Sequence, residues 1–450
     1  MKKFGKKTIA LLMSTLSCAL LFSSCGNSSK RSTESTEKTT DPVTITFYTW
    51  EKTGYTEQQD NIVKAFEEKN KNIKVKFVYP TDNNNADYLQ KMNTTLMSSN
   101  NDVDVFGASG ASSVADFIKA GVMEPLDSYI KKEGVDFDKT YSYHFIVDNK
   151  TYAIPTFETT WFVMLNKKLL DEAALPVPAL NWSWDDYRMY AKKLTSGTGK
   201  DKTYGSYMHS WPDYIKMGIY ANNTSPLFYD KDKNLVVEKP MFKDWMKLRF
   251  DMETVDKSQV PYSDVKAMNL AYRTQFFNGK VGMLATGAWM VSEIQNVAKY
   301  PHEFATAFAP LPRFEDSKEG RTFGDSHYFG VSKNSKNKDA AYKFLRFYSE
   351  NRSKIAPLTG FTGVKNQDKA KIVKELIGTN EKYYDMDSLI KVYNNPKFEV
   401  NYLKNSSDLS DVEKQTQDLV SQESEKYLMG AQALDKSIQN MLDGYKKIKK

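Results

Sequence analysis

The order of apolar and polar residues beyond the N-terminal region predicts strands and helices that follow one another in turn. Residues Val43–Tyr48 alternate apolar and polar side chains and include several β-branched residues, which is typical of a strand. Apolar side chains then recur at helical spacing over residues 56–66, and Thr56 with Gln59 predicts a capping box at the start of this helix. Residues 73–77 alternate again and predict a second strand.

The same succession continues further along the chain. A helix containing Tyr88 and Met92 leads to a short apolar strand at 103–106, which we predict to stop at Gly107. Another helix and an extended segment at 151–155 follow. Strands that alternate with helices predict an open α/β sheet with right-handed crossovers, which binds ligands beyond the carboxyl ends of its strands.

The second half of the chain is more helical. Ser183 and Asp186 predict a capping box, and residues 339–347 predict an amphipathic helix. Residues 409–448 carry a further helical stripe of apolar side chains, which we interpret as core packing and not as a coiled coil. We find no internal repeat.

The N-terminal region resembles a bacterial lipoprotein leader. Basic residues at 2–7 precede an apolar run at 9–22, which is shorter than the roughly 20 residues that a membrane-spanning helix needs. Residues 21–26 (LFSSCG) resemble a lipobox, in which the cysteine is acylated and the chain is cleaved before it. We therefore predict that residues 1–24 are a signal peptide and that Cys25 is lipidated, with an ordinary secretory signal as the alternative.

Residues 25–42 are predicted to form a flexible tether that begins with the lipidated cysteine. Serine and threonine dominate this segment and large apolar side chains are absent from it, so it cannot bury enough surface to fold. Two acyl chains hold a protein on a bilayer stably, whereas one does so only marginally. The predicted location is the extracellular face of the bacterial cytoplasmic membrane.

Composition excludes several classes of function. The 63 basic and 56 acidic residues give the full chain a charge of +7, but four lysines lie in the predicted leader, so the mature chain is close to neutral and a nucleic-acid partner is not expected. Cys18 and Cys25 are the two cysteines, and the four histidines are scattered, so we predict no disulfide, metal site or cofactor. The one long apolar run excludes a polytopic membrane protein.

Catalytic motifs are not found in the sequence. Residues 197–201 (GTGKD) partly match a phosphate-binding loop, but Leu194 and Asp201 stand where that motif needs glycine and serine or threonine. Acidic residues are too numerous for the spacing of any pair to indicate a glycosidase. The sequence therefore predicts no catalytic residues.

A series of short motifs runs through the chain behind the lipobox. They are YLQKM at 88–92 and DVDVF at 102–106; NKTYAIP at 149–155, WFVMLNK at 161–167 and WDDY at 184–187; FNGKVGM at 277–283 and TGAW at 286–289; FAPLP at 308–312, FGVS at 329–332 and the helix from Asp339. In this order they resemble the extracellular solute-binding proteins of ABC importers, in the maltose-binding-like carbohydrate cluster.

The resemblance implies an α/β fold with two lobes, an interlobe ligand cleft and several hinge crossings. Mapped onto this sequence, it gives lobe one as residues 43–154 plus 325–352 and lobe two as residues 155–324 plus 353–450. It also implies a monomer with no enzymatic activity and no cofactor. Such a protein captures a mono- or oligosaccharide and delivers it to ABC permease subunits.

Candidate ligand-binding residues combine flat aromatic rings with acidic and polar groups, because a sugar has apolar faces and a rim of hydroxyls. Trp50 and Glu51 follow the first predicted strand, and Ser109 follows the third. Asp325 lies beside the last hinge crossing that the resemblance implies. We expect the cleft to be lined at these positions.

The resemblance adds further candidates from the second lobe and the hinge. It places Glu158 where the family has a ligand-binding acid, Trp289 where the family has a sugar-stacking tryptophan, and, more loosely, Trp211 in the same site. Trp289 also fits a core position, and Glu51 and Glu158 also fit solvated loop acids. The tryptophans at 182–184 are assigned to structural packing.

Two other functions stay open at this point. A surface glycan hydrolase would carry an acid pair about 5–10 Å apart in one cleft. A binding protein of the same fold for a non-sugar solute, such as a polyamine or a peptide, would carry several acids and few flat aromatic rings in its cleft.

Overall fold

A computed structural model describes residues 42–449 apart from residues 99, 221–227, 231, 233, 316, 357–360, 398 and 402–410. The strands are β1 (Val43–Tyr48), β2 (Ile73–Val78), β3 (Val105–Ser109), β4 (Phe145–Val147), β5 (Lys150–Glu158), β6 (Trp161–Asn166), β7 (Tyr204–Tyr207), β8 (Val281–Gly287), β9 (Thr306–Ala309), β10 (Arg321–Phe323), β11 (Ser326–Val331) and β12 (Glu399–Asn401). The helices are α1 (Thr56–Lys69), α2 (Asn85–Leu96), α3 (Ala111–Lys119), α4 (Asp127–Glu133), α5 (Phe137–Thr140), α6 (Lys167–Glu172), α7 (Trp184–Leu194), α8 (Asp213–Tyr220), α9 (Pro240–Thr254), α10 (Tyr262–Ala267), α11 (Tyr272–Phe277), α12 (Trp289–Glu293), α13 (Lys338–Ile355), α14 (Lys369–Ile377), α15 (Met386–Tyr393), α16 (Asp411–Leu428) and α17 (Leu434–Ile448).

The first lobe is built on a six-stranded sheet with the strand order β2-β1-β3-β11-β5-β4. Strand β1 is parallel to β2 and β3, whereas β11 pairs antiparallel with both β3 and β5. Helices α1–α5 and α13 contribute side chains to the core of this lobe. Phe47, Phe106, Phe329 and Phe344 are fully buried in that core.

The second lobe is built on a four-stranded sheet with the strand order β7-β8-β6-β9. Because side chains alternate along a strand, Val163 and Leu165 of β6 join one core, and Phe162 and Met164 join another. Helices α7–α9, α16 and α17 contribute to the first of these cores, and helices α10–α12, α14 and α15 contribute to the second. Burial on both faces explains why β6 is apolar from Trp161 to Leu165.

Two crossings between the lobes lie side by side. The chain leaves the first lobe between β5 and β6, at Thr159 and Thr160, and returns to it at Asp325, before β11. The Thr159 N–H donates to the Asp325 carbonyl (2.8 Å), and the Asp325 N–H donates to Thr159 Oγ1 (3.1 Å). The six-stranded sheet continues to Glu158, and the lobe boundaries given by the sequence stay a prediction.

Two details of the local structure correct the sequence-based expectations. The capping box predicted at Thr56 and Gln59 is wrong: Tyr55 is the N-cap residue without a side-chain cap bond, and Gln59 Nε2 instead donates to the Glu51 carbonyl (3.1 Å). Strand β3 also runs through Gly107, where a Cβ would lie 2.0 Å from the Tyr328 carbonyl oxygen. Gly107 therefore permits close pairing with β11 and does not end the strand.

Other expectations from the sequence are confirmed, refined or outside the described residues. The capping box of Ser183 and Asp186 is confirmed, with both reciprocal hydrogen bonds present. The helical stretch near the C-terminus is divided into α16 and α17. The predicted signal peptide, the predicted lipidation site at Cys25 and all but the last residue of the predicted tether lie outside the described residues. Among the described helices, none combines the length and the apolar character that crossing a bilayer requires.

Candidate ligand-binding cleft

Aromatic side chains meet at the edge of the second lobe that lies next to the crossings. Trp211 lies 6.2 Å from Trp289 between ring centroids, Trp161 lies 5.5 Å from Trp289, and Trp211 lies 5.2 Å from Tyr272. Trp211 and Trp289 are only partly buried, so their rings are accessible. We call this group the aromatic cluster, and its members are Trp161, His209, Trp211, Tyr214, Tyr272 and Trp289.

The position of Trp289 depends on the end of strand β8. Trp161 at the start of β6 pairs with Gly287 at the end of β8, and the chain then turns into α12. A Cβ on Gly287 would lie 1.9 Å from the Trp289 ring, so the indole packs directly on the glycine. The Trp289 Nε1–H donates to the Tyr272 hydroxyl (3.1 Å). The indole N–H therefore has a partner within the cluster, and the accessible part of Trp289 is its ring.

His209 is held in the cluster by hydrogen bonds from both sides. Its Nδ1 lies 3.0 Å from the Tyr207 hydroxyl, and Arg249 Nη2 donates to its carbonyl oxygen (3.3 Å). Burial, together with the positive charges of Arg249 and Arg273, lowers the pKa of His209 to about 4. The imidazole is therefore neutral at physiological pH.

The first lobe contacts the edge of the second lobe close to the cluster. Tyr55 of the first lobe lies close to Ser292 and Glu293 of α12, and burial raises the pKa of Tyr55. An ion pair between Asp116 of α3 and Lys414 of α16 (2.9 Å) also joins the two lobes. The cluster thus lies where the second lobe faces the first.

Glu51 lies inside the first lobe, where its carboxylate has two charged or polar partners. Its side chain is 2 % exposed, and its Oε1 accepts from His327 Nδ1 (2.7 Å) and from Arg352 Nη2 (3.0 Å). Burial by itself raises the pKa of Glu51, but the charge of Arg352 and the hydrogen bond from His327 outweigh it and lower the pKa to about 2. Trp50 beside it is 5 % exposed and stacks on Phe329 (5.7 Å).

Asp325 lies at the return crossing, between the two lobes. Its Oδ1 accepts from the Ser326 N–H (2.7 Å) and its Oδ2 accepts from the Ala111 N–H (3.3 Å) at the start of α3. Burial is the main cause that raises the pKa of Asp325 to about 6; the charge of Asp213 adds to it, and the two backbone N–H groups and Lys216 oppose it. Asp325 therefore takes up its proton at a higher pH than an ordinary aspartate does.

Replacing Asp325 with asparagine is expected to change how stability depends on pH. The pKa of Asp325 is about 6 in the folded state against 3.8 for the unperturbed group. As the pH falls below about 7, the folded state therefore takes up this proton before the unfolded state does, and the folded state gains stability. Between pH 7.5 and 5.5 this gain is about 1 kcal/mol and is absent from Asp325→Asn. Urea unfolding of both proteins at the two pH values measures it. The matched control is Asp60→Asn on the exposed face of α1, and an equal pH response in Asp325→Asn and wild type would contradict the assignment.

The other two predicted site residues of the first lobe each donate a hydrogen bond through the backbone N–H. Glu158 ends β5 with 6 % of its side chain exposed, and its N–H donates to the Phe361 carbonyl (2.8 Å). The Ser109 N–H, at the end of β3, donates to Asn85 Oδ1 (3.2 Å). Both lie at strand ends that face the crossings.

Comparison with known proteins assigns the chain to a family. The model of the family described as bacterial extracellular solute-binding protein matches residues 51–355. The chain belongs to this family. A Brucella abortus (strain 2308) protein that is named as a binding protein is 28% identical over 323 residues, covering 70% of this chain and 74% of that protein.

Solved structures confirm the two-lobe α/β fold that the sequence predicted for this solute-binding protein. An ABC substrate-binding protein from Listeria monocytogenes, in complex with cycloalternan, superposes with a TM-score of 0.72 at 23% identity and covers 90% of this chain and 99% of its own. A sugar transporter from Rhizobium etli, in an open conformation, has a TM-score of 0.70 at 21% identity with the same coverage, 90% and 99%. These likenesses establish the fold.

The structure of this solute-binding protein brings some of the predicted site residues together and separates others. Trp211 and Trp289 lie in one cluster, and Glu158, Ser109 and Asp325 lie at strand ends beside the crossings. Trp50 and Glu51 lie instead in the core of the first lobe, because α13 and β11 cover them. A ligand-binding role for any of these residues stays a prediction.

Sequence reasoning missed His209 and Tyr272, which are central to the aromatic cluster. The only available signal was their aromatic character, since neither belongs to a motif that the sequence offered. Trp182 and Trp184, assigned to packing, are 4 % and 2 % exposed in the core of the second lobe, which confirms that assignment. Within the described ranges, no group of three or more histidine, cysteine or acidic side chains is arranged to hold a metal ion.

Proposed function

We propose that this solute-binding protein captures a carbohydrate between its lobes and delivers it to the permease subunits of an ABC transporter. The observation that carries the proposal is the aromatic cluster, with the partly buried rings of Trp211 and Trp289 at the edge that faces the first lobe. Trp50, Glu51, Ser109, Glu158 and Asp325 remain further candidates on the side of the first lobe.

The cluster has the chemistry that a sugar ring requires. The C–H faces of a pyranose are apolar and pack on flat aromatic rings, while its hydroxyls need hydrogen-bond donors and acceptors. The cluster supplies both kinds of group, in its indole rings and in the polar atoms of His209 and Tyr272. The Rhizobium etli sugar transporter and the Listeria monocytogenes protein with cycloalternan, which share the fold, support a ligand of this class.

The proposed mechanism is capture without catalysis, by a monomer. Closure of two lobes around a ligand removes the ligand from water and presents a different surface to the permease. Two of the buried candidate acids already have protein partners: Glu51 has His327 and Arg352, and Asp325 has two backbone N–H groups. We therefore favour binding over glycan hydrolysis.

A thermal-shift panel of mono- and oligosaccharides tests the proposal. A ligand present at 100 times its dissociation constant stabilises the folded state by about 2.7 kcal/mol, which raises the melting temperature measurably. Polyamines and short peptides serve as non-sugar arms, and chromogenic glycosides report hydrolysis. A shift with polyamines or peptides and none with any sugar would replace the carbohydrate by that solute class.

We also propose that a lipid on Cys25 anchors the protein to the extracellular face of the cytoplasmic membrane. Residues 1–24 then act as the signal peptide, and residues 25–42 hold the folded body at the bilayer. We expect Cys25→Ala to appear in the culture medium or as uncleaved precursor, as measured by fractionation and immunoblotting. Cys18→Ala, in the predicted leader, is the control and should remain anchored. Full membrane retention and normal processing of Cys25→Ala would disprove the anchor.

A further inference from the structure

The hydrogen bonds around Tyr207 determine which nitrogen of His209 carries the proton. The Tyr207 hydroxyl lies 2.8 Å from the Leu270 carbonyl oxygen and 3.0 Å from His209 Nδ1. A hydroxyl has one proton, and a carbonyl oxygen can only accept, so Tyr207 donates to Leu270. The hydroxyl must then accept from His209, which places the proton on Nδ1. In a neutral imidazole, Nε2 is consequently an acceptor with a lone pair.

The Nε2 atom of His209 is available to a ligand. The ring is partly buried, with its centroid 4.7 Å from that of Trp211 and 5.5 Å from that of Tyr272. No hydrogen bond joins Nε2 to any residue in the part of the chain that the structure describes. The acceptor therefore lies among the rings that we propose to contact the sugar.

Tyr272 supplies the complementary donor. Its hydroxyl oxygen accepts from the Trp289 Nε1–H (3.1 Å), so its own proton remains to be donated. A sugar hydroxyl both donates and accepts, which matches an imidazole acceptor beside a phenol donor. Arg273 stacks on the Tyr272 ring (4.6 Å) and pairs with Glu293, and Arg249 donates to the His209 carbonyl and pairs with Glu253. Each of these cations is therefore balanced by a carboxylate, which suits a neutral ligand.

We propose that His209 is a specificity-determining residue of the cleft, which accepts a hydrogen bond at Nε2 from a hydroxyl of a neutral carbohydrate. The inference rests on the proposed function and adds to it the contacting atom and the direction of the hydrogen bond, from the sugar hydroxyl to Nε2. Tyr207 acts as a positioning residue, because its hydroxyl holds the imidazole in the Nδ1–H tautomer.

The tautomer is directly measurable in the wild-type protein. Long-range ¹H–¹⁵N correlation spectra of protein labelled with ¹⁵N-histidine distinguish a protonated from an unprotonated ring nitrogen, and four histidines give few signals to assign. We expect His209 to show Nδ1–H without ligand, and to keep it with a shifted Nε2 resonance when the sugar found in the panel is added. An Nε2–H tautomer, or no Nε2 shift on saturation, would overturn the inference.

Affinity measurements on a variant test the contact independently. His209→Phe keeps a flat ring and removes the acceptor, so we expect about tenfold weaker binding of the parent sugar. One monodeoxy analogue, which lacks the hydroxyl that His209 contacts, should bind wild type and His209→Phe equally. His144→Phe, a partly buried histidine in the first lobe, is the matched control and should bind the parent sugar as wild type does.

The outcomes separate this inference from the proposed function. If wild type binds a sugar and His209→Phe binds that sugar and every deoxy analogue as wild type does, the role of His209 is wrong and the carbohydrate function stands. If no sugar binds wild type, the proposed function fails and the inference fails with it. The spectra of the wild-type protein decide the tautomer even where His209→Phe does not fold.

Discussion

Replacing Arg352 with methionine is expected to lower the free energy of unfolding by about 3–5 kcal/mol, because it leaves the buried Glu51 carboxylate without its cation. The Arg352 side chain is fully buried, and its guanidinium lies 5.2 Å from the Tyr348 ring and 5.5 Å from the Phe157 ring. Its Nη2 donates to Glu51 Oε1 (3.0 Å), and water cannot replace this contact in such a site. Urea unfolding monitored by circular dichroism measures the loss.

A double variant distinguishes an unpaired charge from lost packing. Glu51→Gln together with Arg352→Met removes both charges, so we expect it to lose less stability than Arg352→Met alone. Arg321→Met, whose partner Glu399 is exposed, is the matched control and should lose about 1 kcal/mol or less. Equal losses in Arg352→Met and the double variant would mean that packing, and not the ion pair, accounts for the effect.

Replacing Trp289 with alanine is expected to weaken sugar binding by about a hundredfold while the protein stays folded. A stacked indole buries apolar C–H surface of the sugar, and its loss costs on the order of 2–3 kcal/mol of binding free energy. The Trp289 ring is partly exposed and packs on Gly287, so its removal leaves no closed cavity in the core. Titration calorimetry gives the affinity, and the melting temperature without ligand reports folding.

Trp182→Ala is the matched control for this prediction. Trp182 is 4 % exposed and donates from Nε1 to the Pro310 carbonyl (2.8 Å), so its truncation should cost about 3–5 kcal/mol of stability. We expect the two variants to show opposite patterns of affinity and stability. A Trp289→Ala protein with normal affinity and a strongly reduced melting temperature would mean that Trp289 packs in the core and does not stack on the ligand.

Much of the fold was predictable because it is encoded locally. The alternation at Val43–Tyr48 and the capping box of Ser183 with Asp186 need only neighbouring residues, and both are confirmed. The end of β3 was not predictable, because Gly107 is read as a stop until β11 is known to pair with it. Local signals give the type of an element, whereas tertiary pairing determines where it ends.

The site was less predictable than the fold, because it depends on residues far apart in the sequence. Glu51 has the residue type and the strand-end position of a ligand-binding acid, but Arg352, 301 residues away, pairs with it. The acceptor at His209 likewise depends on Tyr207 and on a carbonyl at Leu270, 63 residues from Tyr207. Residue types indicated the chemistry of a sugar site. Only the folded chain indicates which of their atoms remain available to contact a ligand.

The central position of β11 has a consequence for how the chain is made and exported. Strand β11 fills the space between β3 and β5, although both of its neighbours precede it by well over a hundred residues in the sequence. A nascent or truncated chain that stops before β11 exposes two unpaired strand edges, which favour pairing with other chains. Such long-range pairing also forms slowly. We therefore expect the first lobe to remain unfolded, and competent for translocation, until most of the polypeptide has been synthesised.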